Sequence, residues 1–515
     1  MIRNSLISFC FLFFLVHFDV TAQSKPAPKL NTAKICPNIV LIYADDVGFG
    51  DISANGATKV HTPNIDQIAK HGINFTNAYA TASVCTPSRF SLLTGKYAWR
   101  QKGTGVAPGN AALLISVAST TLASVFQKSG YNTGVVGKWH IGLGAGGGPD
   151  WNGYIAPGPL EIGFDYSFII PATLDRVPCV FVENHRVANL EPRDSIAVSY
   201  GKPIGNEPTG YDHPELLKVR PSYGHNQTII NGISRIGYMS GGKSARWNDE
   251  EIGNVLTGKA TDFIKSSLKK PFFLYFAVHG IHVPRVPNPK FAGKSGLGPR
   301  GDAILEMDDM VGRVQRCLDS LNLTKNTILI FSSDNGPVLD DGYQDGAVEL
   351  LHGHKPAGKM RGGKYSAFDA GTRVPFLIEW PAGIKGNSTS DAKISQIDLL
   401  RSFASLTGYK IPAGQAPDSF NLLSTLLGQD HKGRSYIVQQ SVYDTYSIII
   451  GDWKYIAPHA GPAFDKFTGI ELGNSSEPQL YNLKNDIGEK NNVAKEHPTI
   501  VKQLADQLSL CQAQQ

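Results

Sequence analysis

Short apolar runs recur along the chain, and each ends in polar or charged residues. Ile39–Tyr43, Thr133–Val136, Phe272–Val278, Thr327–Phe331 and Val374–Ile378 have the length and the β-branched or aromatic content of buried strands. Helix-like patterns lie between them at Asn64–His71, Thr121–Ser129, Asn248–Ser267 and Ala303–Leu321. Such alternation predicts an α/β fold, a large mixed, mostly parallel sheet flanked by helices. After Leu406 the pattern changes. Tyr436–Gln440, Ser447–Ile450 and Lys454–Ile456 read as short antiparallel strands, and about Pro498–Leu510 as a last helix. Two parts follow: a large domain over residues 24–410 and a smaller C-terminal subdomain over 411–515, with no repeat of fixed period.

The first residues follow another pattern. Arg3 precedes an apolar stretch from Leu6 to Phe18, and small residues follow at Thr21-Ala22. This is the arrangement of a secretory signal peptide cleaved near residue 23, so the protein is expected to be exported, to the periplasm, with no membrane span elsewhere. Composition narrows the class further. Lys+Arg 49 against Asp+Glu 44 gives a formal net charge of +5 without any basic run, which argues against a nucleic-acid partner. The 54 glycines and 31 prolines have no period, so collagen-like and low-complexity readings fail and a loop-rich enzyme is favoured. Six cysteines are too few for a disulfide scaffold at this length. Cys36, Cys179, Cys317 and Cys511 admit three pairings, and the sequence does not choose among them.

Candidate chemistry sits where the strands end. Ile39–Tyr43 runs into Asp45-Asp46, Thr133–Val136 into Lys138-Trp139-His140, Phe272–Val278 into His279 and His282, and Thr327–Phe331 into Asp334-Asn335-Gly336. Ligands of open α/β sheets bind outside the carboxyl ends of the strands, so the four clusters are expected to converge. Any one alone reads as a turn or helix cap. Asp45, Asp46, Asp334 and Asn335 offer oxygen ligands suited to a hard cation, calcium or magnesium. Lys138, His140 and His282 add donors, and Arg361, Lys364 and Arg373 follow in a glycine-rich stretch. Metal and cations in one crevice suit a tetrahedral oxyanion, hence hydrolysis of a phosphate or sulfate ester. By contrast, Asp340-Asp341-Gly342 reads as an acidic turn.

Cys85-Thr86-Pro87-Ser88-Arg89, followed by Ser91-Leu92-Leu93-Thr94-Gly95, supplies a nucleophile. Together with Asp45-Asp46, Gly137-Lys138-Trp139-His140-Ile141-Gly142 and Asp334-Asn335-Gly336 it resembles the type I, formylglycine-dependent sulfatases over most of residues 37–380, and Tyr481-Asn482-Leu483 is similar to the family's C-terminal end. The resemblance implies an alkaline-phosphatase-like sandwich with a smaller C-terminal sheet. It implies that a maturase oxidises Cys85 to formylglycine (3-oxoalanine), and that one Ca²⁺ is held by Asp45, Asp46, Asp334, Asn335 and the modified Cys85. Arg89 and Lys138 would then stabilise the aldehyde hydrate, and His140, His282 and Lys364 would hold the sulfate. Where the family often shows Glu-Gly-Gly-x-Arg, this chain has Asp369-Ala370-Gly371-Thr372-Arg373, for which a backbone role is expected.

Substrate choice falls to the segment between Lys138 and His279. Asp175, Arg176 and His225 have side chains that hydrogen-bond sugar hydroxyls, and Glu183-Asn184-His185 offers similar groups; a loop-scaffold role is the plain alternative for all of them. These stretches resemble exported bacterial sulfatases of galactose-type sugars, implying exo action on 6-O-sulfated galactose or N-acetylgalactosamine in an oligosaccharide. Two rivals stand beside this reading: a phosphate or phosphonate ester hydrolase of the same superfamily, and an inactive calcium-dependent glycan-binding homologue.

Overall fold

The computed structural model describes residue 1 and residues 36–513, so the expected signal peptide lies outside the described residues. A ten-stranded sheet organises the molecule. Its centre is five mutually parallel strands in the spatial order Thr327–Ser333, Asn38–Ala44, Phe272–Ala277, Asn132–Lys138 and Tyr166–Ile170. All seven residues of Asn38–Ala44 are buried, as befits a strand covered on both faces. Val182–Glu183 and Arg186–Val187 extend the sheet beyond Tyr166–Ile170. On the other side lie Phe376–Glu379, Gly72–Phe75 and Ser388–Ser390.

Phe376–Glu379 runs antiparallel to Thr327–Ser333. It starts later than the apolar run beginning at Val374, because Pro375 has no N–H to give to a ladder and Val374 instead donates to Ala78 O. Two helical layers cover the sheet. Successive residues of one strand show both: Phe272 meets Phe263 of the Ile252–Ser266 helix edge-on, and Phe273 stacks on Phe126 of the Leu122–Lys128 helix at 4.5 Å.

Tyr436–Gln440, Tyr446–Ile450, Trp453–Ile456 and Gln479–Asn482 form a four-stranded antiparallel sheet, followed by the Pro498–Ala513 helix. Alternation along its strands buries both faces. Val438, Ile448 and Leu480 pack with Leu504 and Leu508 of the helix, whereas Ile437, Ile449 and Ile456 pack with Tyr79 and Phe368 from the larger part. A buried polar knot joins the same elements. Lys454 pairs with Glu489 at 3.0 Å, and Glu489 accepts from the Asp369 backbone N–H at 2.6 Å. Asp369 also pairs with Arg373 at 3.1 Å, and Gly371 O accepts from Gly336 N–H beside Asn335. The Asp369–Arg373 segment thus holds backbone in place, as expected. The described cysteines are all free thiols, so none of the three possible disulfide pairings forms. Among the described residues no helix is long and apolar enough to cross a membrane.

Candidate active site

The carboxyl ends of the central strands carry the expected clusters to one place. Asp45 and Asp46 follow Asn38–Ala44, Asp334 and Asn335 follow Thr327–Ser333, and Lys138 ends Asn132–Lys138. Asp46 and His140 hold the left-handed backbone region, at φ 62° and 58°, which non-glycine residues seldom occupy outside constrained sites.

Cys85 opens a ten-residue helix, Cys85–Thr94, in which every residue is buried. Arg89 lies one helical turn on and so shares the face of Cys85, which is the physical sense of the Cys-x-Pro-x-Arg spacing. Thr86 Oγ1 donates to His140 O at 3.0 Å and ties this helix to the next cluster.

Asp45, Asp46, Asp334 and the Cys85 sulfur each place a ligand atom within 4.8 Å of the others, all of them buried. The basic groups interlock with them. Lys138 Nζ reaches both oxygens of Asp45 at 2.7 Å, and Arg89 Nε donates to Asp334 Oδ2 at 2.9 Å. Lys364 Nζ bridges Asp46 Oδ2 at 2.9 Å and Asp341 Oδ2 at 2.8 Å. Asn335 Nδ2 donates to Asp46 Oδ1, and its Oδ1 is buried without a partner. Three carboxylates plus an unclaimed amide oxygen fit a hard divalent cation, since such an ion takes oxygen donors and would satisfy that oxygen.

Burial shapes the protonation of the cluster. It would raise the Asp334 carboxyl, but Arg89, Lys138 and Lys364 outweigh it and hold the group down to about 2. Burial pushes Asp45 up, with Lys138 opposing. It also pushes the Cys85 thiol up, so the unmodified side chain is protonated at neutral pH and is no thiolate nucleophile. His140 is pushed well below the usual histidine range by burial, aided by Lys138. Neutral, it donates from Nε2 to Ala107 O at 2.9 Å and leaves Nδ1 as a free acceptor. His282 bonds Val283 O through Nδ1 at 2.7 Å, and its Nε2 lies 3.8 Å from Asp46.

Above Cys85 opens a cavity of about 270 Å³, walled by His140, Asp175, Arg176, His225, His282 and Lys364. All three expected sugar-contacting residues line it. Asp175 accepts from His225 Nε2 at 3.0 Å and from Arg176 Nη1 at 3.1 Å. Arg235, fully buried, donates to Leu174 O at 2.6 Å and pairs with Asp249, fixing the loop that presents Asp175.

Other expected groups fall elsewhere. Glu183 pairs with Lys259 and His185 with Glu161, so both are scaffold. Arg361 pairs with Glu471 and Arg373 with Asp369, leaving Lys364 alone of that trio on the site. One residue is corrected in the other direction. Asp340 does form the acidic turn, accepting from Gly342 N–H at 3.0 Å, but Asp341 turns inward to Lys364 and to the hydroxyls of Tyr365 and Tyr223. The rim was also missed: Phe467 stacks on Tyr223 at 4.4 Å, and Asp465 and Thr468 stand beside it.

Known proteins carry the same pattern. The sulfatase family model matches residues 37–409, and the model of the N-sulphoglucosamine sulphohydrolase C-terminal region matches residues 363–514. The chain is 58% identical over 472 residues to an N-acetylgalactosamine-6-O-sulfatase of Bacteroides thetaiotaomicron, covering 92% of each. It is 31% identical over 498 residues to human arylsulfatase A, covering 93% of this chain and 88% of that one. A solved structure from work on glycosaminoglycan metabolism by Bacteroides thetaiotaomicron superposes with a TM-score of 0.92 at 56% identity, covering 93% of this chain and 100% of that chain. The fold is therefore the alkaline-phosphatase-like one of sulfatases. With the acidic cluster, the cysteine helix and the basic pocket all in the family's order, the chain belongs to the sulfatase family and is a sulfuric ester hydrolase.

Proposed function

We propose that the protein removes the 6-O-sulfate from a terminal galactose-type sugar, N-acetylgalactosamine first, of a sulfated oligosaccharide. The observation that carries this reading is the juxtaposition in one cavity of the Cys85 helix with the Asp175, Arg176 and His225 wall. Support comes from the name of the 58% identical relative. Residues 1–23 would export the protein to the periplasm, as their charged, apolar and small-residue pattern indicates.

Asp45, Asp46, Asp334 and Asn335 would hold one Ca²⁺, which when bound supplies positive charge to a sulfate oxygen and to the Cys85 side chain. Cys85 would be oxidised to formylglycine, whose hydrate supplies one hydroxyl to attack sulfur and a second whose deprotonation releases sulfate by C–O cleavage.

The remaining steps belong to side chains in place. Lys364 and His282 orient the ester's oxygens, and Arg89 and Lys138 keep the region around residue 85 positive. Asp334, ionised at neutral pH, accepts the attacking proton. His282, with Nδ1 tied to Val283 O, presents Nε2 as the acid for the leaving sugar oxygen. His140, neutral with a free Nδ1, is the base for the second proton. Asp175 and His225 bind sugar hydroxyls and set the hexose.

A panel of N-acetylgalactosamine and galactose sulfated singly at O3, O4 or O6, with N-sulfated glucosamine, tests the reading by sulfate release. Release from the O6 esters alone is expected. Turnover at O3, O4 or nitrogen with none at O6 refutes it.

A further inference from the structure

A second basic depression lies outside the cavity over Cys85. Its volume is about 590 Å³, it is lined by Phe49, Met360 and Ile487 with Lys355, Lys359 and Arg373, and no carboxylate lines it. Two further depressions continue it. One, of about 330 Å³, shares Arg373 and Ile487 and adds Lys393 and Lys484 together with Asp391 and Asp452. The other, of about 440 Å³, shares Lys359 and Met360 and adds Lys490 beside the Arg361–Glu471 pair. Together they make one groove.

The arginines of this groove are spent internally and its lysines are not. Arg373 is paired with Asp369 and Arg361 with Glu471. Lys355, Lys359, Lys484 and Lys490 are exposed, and no described carboxylate lies within 4.0 Å of their ammonium groups or of that of Lys393. None of these residues belongs to the sulfate pocket. Five unpaired ammonium groups against the carboxylates Asp391 and Asp452 leave the joined groove net positive, which suits a polymer carrying repeated negative charge. The half-buried Phe49 ring, with Met360 and Ile487, adds the apolar floor on which a sugar face packs and which a purely ionic contact would not need.

We propose that this groove is a second binding site for an anionic glycan chain, sulfated or uronate-bearing, which holds the polymer while its ends are trimmed at Cys85. The choice of a sulfated glycan over other polyanions rests on the family's reaction and not on which sugar or sulfate position is cleaved.

The test measures binding of chondroitin sulfate chains to full-length enzyme carrying Cys85→Ala, so that the polymer is not consumed. Adding Lys355→Ala, Lys359→Ala, Lys484→Ala and Lys490→Ala is expected to weaken Kd by about tenfold or more at low salt and to flatten its salt dependence. The charge-reversed pair Lys359→Glu and Lys490→Glu in the same background should lose as much with half the substitutions. In enzyme with Cys85 intact, the four alanines should leave kcat/KM on a sulfated monosaccharide unchanged and raise KM on the polymer. Unchanged polymer Kd in both variants overturns the proposal. So does a single-stranded polynucleotide that binds through the same lysines as tightly as the sulfated chain. Because Kd is read on catalytically silent enzyme, it stands or falls separately from the sulfate position assigned above.

Discussion

Asp341→Asn isolates the residue that anchors Lys364, the lysine proposed to hold the sulfate. Asp341 accepts from Lys364 at 2.8 Å, from Tyr365 OH at 2.8 Å and from Tyr223 OH at 3.2 Å. Burial would raise its carboxyl, but Lys364 and the other donors outweigh burial and hold it below the usual carboxylate range, so it is ionised throughout the neutral region. The amide keeps the volume and removes the charge. Hydrogen bonds to charged groups contribute about 1.5–3 kcal/mol each and run roughly twice as strong as neutral ones. Weakening the bonds from Lys364 and Tyr365 by half therefore costs about 1.5–3 kcal/mol of positioning. If that loss is felt in the transition state, kcat/KM falls by about 10–150-fold. Steady-state kinetics on a 6-sulfated monosaccharide, with Tm as a folding control, measures it. If Lys364 orients the ester before chemistry as well as during it, as proposed, the loss should divide between KM and kcat, and Tyr365→Phe should lose only a fraction as much. A change under twofold at normal Tm would refute the idea that Asp341 positions Lys364.

Three further outcomes follow from the geometry. Cys85→Ala should fold with near-native Tm and lose turnover altogether, and intact mass of exported wild-type protein should show the aldehyde in place of the thiol; activity in the alanine variant would place the nucleophile elsewhere. If Asp45, Asp46 and Asp334 hold Ca²⁺ as proposed, chelation should lower both activity and Tm and Ca²⁺ should restore them better than Mg²⁺, because an ion bound there would stabilise only the folded state. Burial pushes Glu306 up to about 7, so in the fold it prefers to be protonated, and its contribution is fully present below about pH 4.5 and lost as pH rises through 7. Glu306→Gln should accordingly raise Tm at pH 8 and leave it nearly unchanged at pH 4, read by thermal melts across that range.

Much of the site was legible because a buried parallel strand leaves a long apolar run, and its end is marked by whatever polar group comes next. Asp45-Asp46, Lys138, His282 and Asp334-Asn335 were visible for that reason. Direction is not written in such a run, so nothing in Val374–Ile378 announced that Phe376–Glu379 would lie antiparallel. The helix of Cys85–Thr94 was invisible to periodicity because all ten residues are buried, leaving no polar face to mark a 3.6-residue repeat. Asp341 was hidden by its neighbour. Asp340-Asp341-Gly342 has turn chemistry, and the turn exists, but turn residues describe the backbone and not where the second carboxylate points. Phe467 and Tyr223 meet from 244 positions apart, and only the folded chain brings such rings together.

On the proposed reading, charge balance would separate sulfate from phosphate at this site. Asp45, Asp46, Asp334 and Asp341 face Arg89, Lys138 and Lys364, so counting only these ion-paired groups the cluster carries one net negative charge. A divalent cation on the acidic side would reverse that by two charges and leave a single positive charge for the substrate. A sulfate monoester carries one negative charge and brings the cluster to neutrality, whereas a phosphate monoester dianion would leave it negative in a buried place where an uncompensated charge is costly. Lys364 is the sensitive element of this count, since it bridges Asp46 of the acidic cluster and the pocket carboxylate Asp341. Asp341→Asn removes one negative charge and favours the dianion, so the same variant that weakens sulfate ester turnover should narrow the preference for sulfate over phosphate. A preference that does not narrow would mean that pocket shape, and not charge, excludes phosphate.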